Sequence, residues 1–158
     1  AEVPTEALEL DALRRRVHLA AYQWGVIEAA LERTAAYATT RHQFGRPIGT
    51  FQAVAARLAD GSIDADAVRV STPGGGAPVA PAGPAVASAP FGAGAPGHRL
   101  VHPAVHVHGG VGLDRSEPAH RYFLAAKADE FRLGGATRQL LDLGDVLATA
   151  GDPWEYSA

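Results

Sequence analysis

The sequence predicts an all-α domain of antiparallel helices packed as a bundle, and three observations carry that prediction. Apolar residues recur at steps of three and four over long stretches, the period at which a helix buries one stripe. No stretch sustains the alternation of a strand. The helix-breaking residues crowd into a single segment, 71–97.

The first stretch runs from Thr5 to about Thr40, with Leu8, Val17, Ala20, Trp24, Ile27, Leu31 and Ala35 on its apolar stripe. A second runs from Phe51 through Val54, Leu58, Ile63 and Ala67 to Val70. Between them, Arg41-His-Gln-Phe-Gly-Arg-Pro-Ile-Gly49 contains two glycines and a proline, which cannot continue a helix. It is a connection with unusual side chains. Residues 71–97 hold 7 of the 18 glycines, 6 of the 11 prolines, 8 alanines and no charge, so no stable helix is expected through them and the segment is read as flexible. The chain divides into 1–70, 71–97 and 98–158. His98 to His108 is a short apolar run with histidines, ending in Gly109-Gly110-Val111-Gly112. A last amphipathic stretch, Glu117 to Leu147, is expected to break at Gly134-Gly135.

At 158 residues, 47% apolar and 20% charged, the length fits one domain. Fourteen basic groups against 17 acidic give a net charge of −3, which argues against a nucleic-acid partner. No run approaches the roughly 20 apolar residues that span a bilayer, and no secretory signal opens the chain. A cytoplasmic protein without membrane contact is expected. With no cysteine there is neither a disulfide framework nor a thiolate metal site.

His98, His102 and His106 share a helical face, a spacing that suits zinc. Pro103 interrupts the run, however, no acid lies within it and no HExxH pattern is present, so no metal is expected. The Gly109–Gly112 run follows no predicted strand, which excludes the usual dinucleotide fingerprint. It fits a tight turn, or a place where backbone closely approaches a ligand. In Arg41 to Gln52 a guanidinium suits a phosphate and the neighbouring aromatic ring can lie against a flat heterocycle. A solvated loop with Phe44 in the core accounts for the same spacing.

Arg41-His-Gln-Phe-Gly-Arg-Pro-Ile-Gly-Thr-Phe-Gln52 with Leu58-Ala-Asp60, followed by Val105-His-Val-His-Gly-Gly-Val-Gly112 and Pro118-x-His-Arg121, resembles the C-terminal helical domain of the flavin-dependent acyl-CoA dehydrogenases. The resemblance implies a four-helix bundle spanning 1–158, with 71–97 standing where the family has the end of one helix and much of the next. It also implies FAD shared across a subunit interface. By position, Arg41 would meet the pyrophosphate, Phe44 would pack near the flavin or its linker, and Gln43, Ile48, Phe51 and Gln52 would line the same cleft. His106 replaces the usual glutamine, Val107 follows it, and Gly109 and Gly110 would let backbone approach the adenosine part.

The family removes an α-proton from an acyl thioester with a glutamate base while the flavin takes the β-hydride. Counting from Pro118 puts one base position at Leu133, before Gly134. The alternative position, on the first helix, falls at Arg15, just before Arg16, which would contact substrate. Neither residue can take the proton. Glu130, about a turn before Leu133, is the weak candidate for a displaced base. Loss of both glutamates with retention of Arg41, Phe44 and Gly109-Gly110 is similar to the non-catalytic subunits of actinobacterial heterotetramers, some acting on steroid side-chain thioesters. The resemblance thus implies a subunit or domain supplying an FAD half-site and an oligomer interface, in a hetero- or homo-tetramer acting on an acyl-CoA. An active fragment using Glu130 and a purely structural helical module are the alternatives.

Overall fold

The computed structural model of the chain describes residues 4–72 and 99–149. Apart from Ser71 and Thr72, the 71–97 segment lies outside the described residues, as does His98. Helix α1 is Thr5–Thr40, 36 residues long, over the range the apolar period predicts. Its buried face keeps Ala20, Ile27 and Ala30 of the expected stripe, with Trp24 and Leu31 packed against the core, and departs from it in the first turns. Ala20, Gln23, Val26, Ile27, Ala30, Thr34 and Ala38 point inward, whereas Leu8 and Leu10 are exposed. Two polar side chains fit this face because each finds a backbone acceptor. Gln23 Nε2 donates to the Ala126 carbonyl at 3.3 Å and Thr34 Oγ1 to that of Ala30 at 2.6 Å, so neither donor is left unsatisfied.

A short connection with a 3-10 turn at Ile48–Thr50 leads into α2, Gln52–Ser71. The inward face of α2 carries Gly61, Asp64, Ala65, Val68 and Thr72. Ile63 and Val70, predicted to face the core, are 67% and 56% exposed. Gly61 sets this phase: a Cβ there would meet Leu100 Cδ1 at 3.1 Å and Leu31 Cδ1 at 3.3 Å. Helix α3, 99–108, adds Leu100 and Val101 to the core. The Arg99 guanidinium grips both Asp64 carboxylate oxygens, with Nε 3.2 Å from Oδ2 and Nη2 on Oδ1.

A 3-10 turn at Gly109–Leu113 precedes α4, Ala119–Arg132, and α5, Gly135–Thr149. The expected break falls between them, with φ of +89° at Gly134 and +76° at Gly135. Helix α1 packs against α2 and α4, and α4 against α5. Ile27, Val68, Leu100, Val101 and Leu133 form the larger part of the core, among alanines from α1, α2 and α4. Fully burying a side chain such as Ile27 contributes about 1.5–3 kcal/mol. Among the described residues no helix is long and apolar enough to cross a membrane.

Candidate functional site

The connection between α1 and α2 is a β-hairpin, the one departure from the all-helical expectation among the described residues. Two-residue strands, β1 (His42–Gln43) and β2 (Arg46–Pro47), pair with Gln43 opposite Arg46. This leaves Phe44 and Gly45 as the loop, with φ of +52° and +78°. Positive φ at both central residues is the type I′ pattern that matches strand twist. Glycine adopts it freely. For phenylalanine it is a strained conformation, on the order of 1–3 kcal/mol, and the ring is 93% exposed. The surrounding structure fixes the hairpin base: the Ile48 amide donates to the Arg41 carbonyl at 2.8 Å and the Arg41 amide to that of Tyr37 at 2.9 Å. Gly49 lies so close to α1 that a Cβ there would stand 3.1 Å from the Ala38 carbonyl oxygen.

An open cleft of about 270 Å³ begins under the hairpin and runs between α2 and α3, lined by Gln43, Phe44, Ile48, Phe51, Val54, Arg57, His106 and Val107. Six of these were singled out in the sequence, from two motifs more than fifty residues apart. Phe44 meets Phe51 edge-on, ring centroids 6.1 Å apart, and the Arg46 guanidinium covers Phe51 at 4.2 Å. Val54 and Arg57 were not predicted, although their spacing of three and six from Phe51 on α2 was a signal for them. The Arg41 and Gln52 side chains are exposed beside the cleft without lining it. Arg41 has no ion-pair or side-chain hydrogen-bond partner among the described residues.

His106 also faces a second, mostly apolar cavity of about 530 Å³, formed with His102, Val105, Gly109, Gly112, Leu113, His120 and Phe123. Gly109 thus joins the second cavity rather than the first, and Gly110 is exposed next to it. Three histidines, His102, His106 and His120, line this cavity, but no group of three metal-ligating side chains among the described residues is placed to hold an ion. His102 meets Phe123 edge-on at 5.0 Å, and His108 stacks on Tyr37 at 4.4 Å while its Nδ1 lies 2.8 Å from the Ala104 carbonyl. Just after the 3-10 turn the Ser116 amide and hydroxyl both donate to Asp114 Oδ1, at 2.9 and 2.8 Å. Those bonds, and less so the charge of His120, hold the Asp114 carboxyl below its ordinary range.

The remaining candidates lie on other element pairs. Arg16 bridges α1 to α5 through Asp142 at 2.9 Å, where Arg138 also binds at 2.8 Å. Arg15 pairs with Asp11. Glu130 is partly buried and held by Lys127 Nζ at 2.6 Å, not the exposed carboxylate its helical setting suggests. The fully buried acid of α4 is Asp129, with Oδ1 2.9 Å from Arg132 Nη1 and Oδ2 without a partner among the described residues. Leu133 is 3% exposed and belongs to the core.

The sequence model of the acyl-CoA dehydrogenase C-terminal domain matches residues 11–147. Acyl-CoA dehydrogenase FadE27 of Mycobacterium tuberculosis is 52% identical over 139 residues, covering 81% of this chain and 37% of that protein. In the crystal structure of the ChsE4-ChsE5 complex from Mycobacterium tuberculosis, a chain 50% identical superposes with a TM-score of 0.85 over 91% of this chain and 40% of its own length. The Tcur3481-Tcur3483 steroid ACAD superposes with a TM-score of 0.79 at 44% identity, over 85% of this chain and 38% of that one. The chain spans about two fifths of the length of these relatives. It belongs to the acyl-CoA dehydrogenase family and carries the helical C-terminal domain of its members.

Proposed function

We propose that this chain, as a single helical domain over 1–158 interrupted by the low-complexity stretch 71–97, completes an FAD site on a partner acyl-CoA dehydrogenase subunit and supplies no base of its own. The observation that carries this reading is the cleft under the hairpin, where an exposed phenylalanine on strained backbone overhangs an apolar slot. Backbone strain that the fold maintains at an exposed aromatic is explained by a contact outside the chain. The residues fit the group: Ile48, Phe51, Val54 and Val107 offer flat apolar walls, Gln43 and His106 offer hydrogen bonds, and Arg41 offers a free guanidinium for a diphosphate.

When bound, FAD supplies the hydride acceptor for α,β-dehydrogenation of an acyl-CoA. Phe44 and Phe51 exclude water from one side of it, and Arg41 orients its phosphates. The proton must go to a base on the partner, because Leu133 is a core side chain and Glu130 is engaged by Lys127. Two relatives were solved as two-component assemblies, the ChsE4-ChsE5 complex and the Tcur3481-Tcur3483 steroid ACAD. This supports a distinct partner subunit, and the steroid ACAD supports a steroid thioester as the acyl group; the pair is proposed to form a heterotetramer acting in the cytoplasm. Co-expression with a full-length dehydrogenase subunit is the test. The purified complex is expected to carry FAD by absorbance, and Arg41→Ala to lose most of it. A flavin-free complex, or undiminished FAD in Arg41→Ala, would overturn the proposal.

A further inference from the structure

We infer that Arg57 is a specificity residue of the cleft, holding the adenine ring of the dinucleotide through its guanidinium plane; this rests on the half-site proposed above. Arg57 lies on α2, two turns in from Phe51, and lines the cleft opposite His106 and Val107. It is exposed and has no ion-pair, hydrogen-bond or ring partner among the described residues. The cations around it are differently placed. Arg46 is committed to the Phe51 ring, Arg99 to Asp64 and Arg69 to Asp66. Arg57 alone among the cleft's lining residues brings an uncommitted charge to it.

Position along the cleft separates Arg57 from the phosphates. At about 1.5 Å rise per residue, it stands roughly 9 Å along α2 from Phe51, away from the hairpin end where Arg41 is free. The walls between are Ile48, Val54 and Val107, which suit a flat, uncharged ring rather than a diphosphate. A planar guanidinium at the end of such a slot stacks on the face of a heterocycle. Asp60, three residues on, and Asp64, together with Arg99, line the cavity on the other side of Arg57. Arg99 compensates Asp64, and the Asp60 carboxylate lowers the local positive potential, which favours a neutral ring over a phosphate as the ligand of Arg57.

The test is equilibrium FAD binding to the flavin-stripped complex of this chain with its partner subunit, with Arg57→Met, which keeps the aliphatic stem and removes the plane and charge. Arg57→Met is expected to weaken FAD binding about tenfold. That ratio should hold between about 0.05 and 0.5 M NaCl, because stacking is screened far less than an exposed ion pair. A loss that disappears at high salt assigns Arg57 to a phosphate and overturns the adenine contact. Undiminished affinity in Arg57→Met, with Arg41→Ala still weakened, overturns the role of Arg57 and leaves the half-site standing. Failure of both substitutions to weaken binding overturns the half-site as well. Unchanged melting of the complex with Arg57→Met verifies that folding is not the cause.

Discussion

The Arg46 guanidinium lies over the Phe51 ring, 4.2 Å from its centroid. Arg46 begins the second strand of the hairpin and Phe51 caps the start of α2, so this contact ties the hairpin to the second helix. A cation over an aromatic face contributes about 0.5–1 kcal/mol at an exposed site. It also keeps the Phe51 ring edge-on to Phe44, and the two rings form one wall whose position depends on Arg46.

Phe44→Gly is expected to separate stability from cofactor retention. Glycine relieves the positive φ of +52°, and the ring it removes is 93% exposed, so little packing is lost. The chain should gain up to about 1 kcal/mol in urea unfolding while the complex retains less FAD. A substitution that destabilises the chain would show that the strain reading of the hairpin is wrong.

Two glycines of the same turn should respond in opposite ways. A Cβ at Gly112 would stand 2.8 Å from His108 Cβ and 2.9 Å from the Val105 carbonyl oxygen, whereas nothing lies within 4 Å at Gly110. Gly112→Ala should cost about 1–3 kcal/mol through overpacking. Gly110→Ala should leave the unfolding midpoint nearly unchanged, and equal effects would count against this geometry.

Arg16→Ala removes the bridge from α1 to α5. Asp142 keeps Arg138 as a partner, and the Arg16 side chain is 45% exposed, so the cost should stay below about 1 kcal/mol and shrink with added salt. If Arg16 instead contacts substrate, acyl-CoA affinity of the complex falls while the melting temperature hardly moves. Measuring both in one variant decides between them.

Asp114 predicts an acid limb. Its folded value lies below the ordinary 3.8 because Ser116 donates twice to the carboxylate, so its contribution is complete above that value and is lost as pH falls toward the folded one. Ser116→Ala should therefore reduce stability at neutral pH and flatten the loss of stability below about pH 4. Parallel pH–stability curves for the two proteins would exclude the coupling.

The extent of α1, the break near Gly134 and most of the cleft were legible in the sequence, because each rests on a local signal: a period, a pair of glycines, a motif. The inward face of α2 was not. Apolar spacing alone put Ile63 and Val70 in the core, but helix phase is fixed by the closest approach at Gly61, a long-range contact. The hairpin was hidden because its strands are two residues each, too short for alternation to register, and Phe44 does not advertise a positive φ. Val54 and Arg57 were not legible as cleft residues because the motif ends at Gln52, while the helix continues to present residues to the same cleft at every third position. The burial of Asp129 rather than Glu130 likewise depends on how α4 turns toward α1.

Gly61 meets Leu31 from one side of the sequence and Leu100 from the other. The two halves of the chain therefore meet at a contact of three residues, beside the Arg99–Asp64 pair and the packing of α1 on α4. Leu31 and Gly61 form the waiting seat and Leu100 is the pin, so the helix at 99–108 carries its own address within the fold. A methyl group at residue 61 would press on the ends of both leucine side chains, which must give by a few tenths of an ångström to admit it.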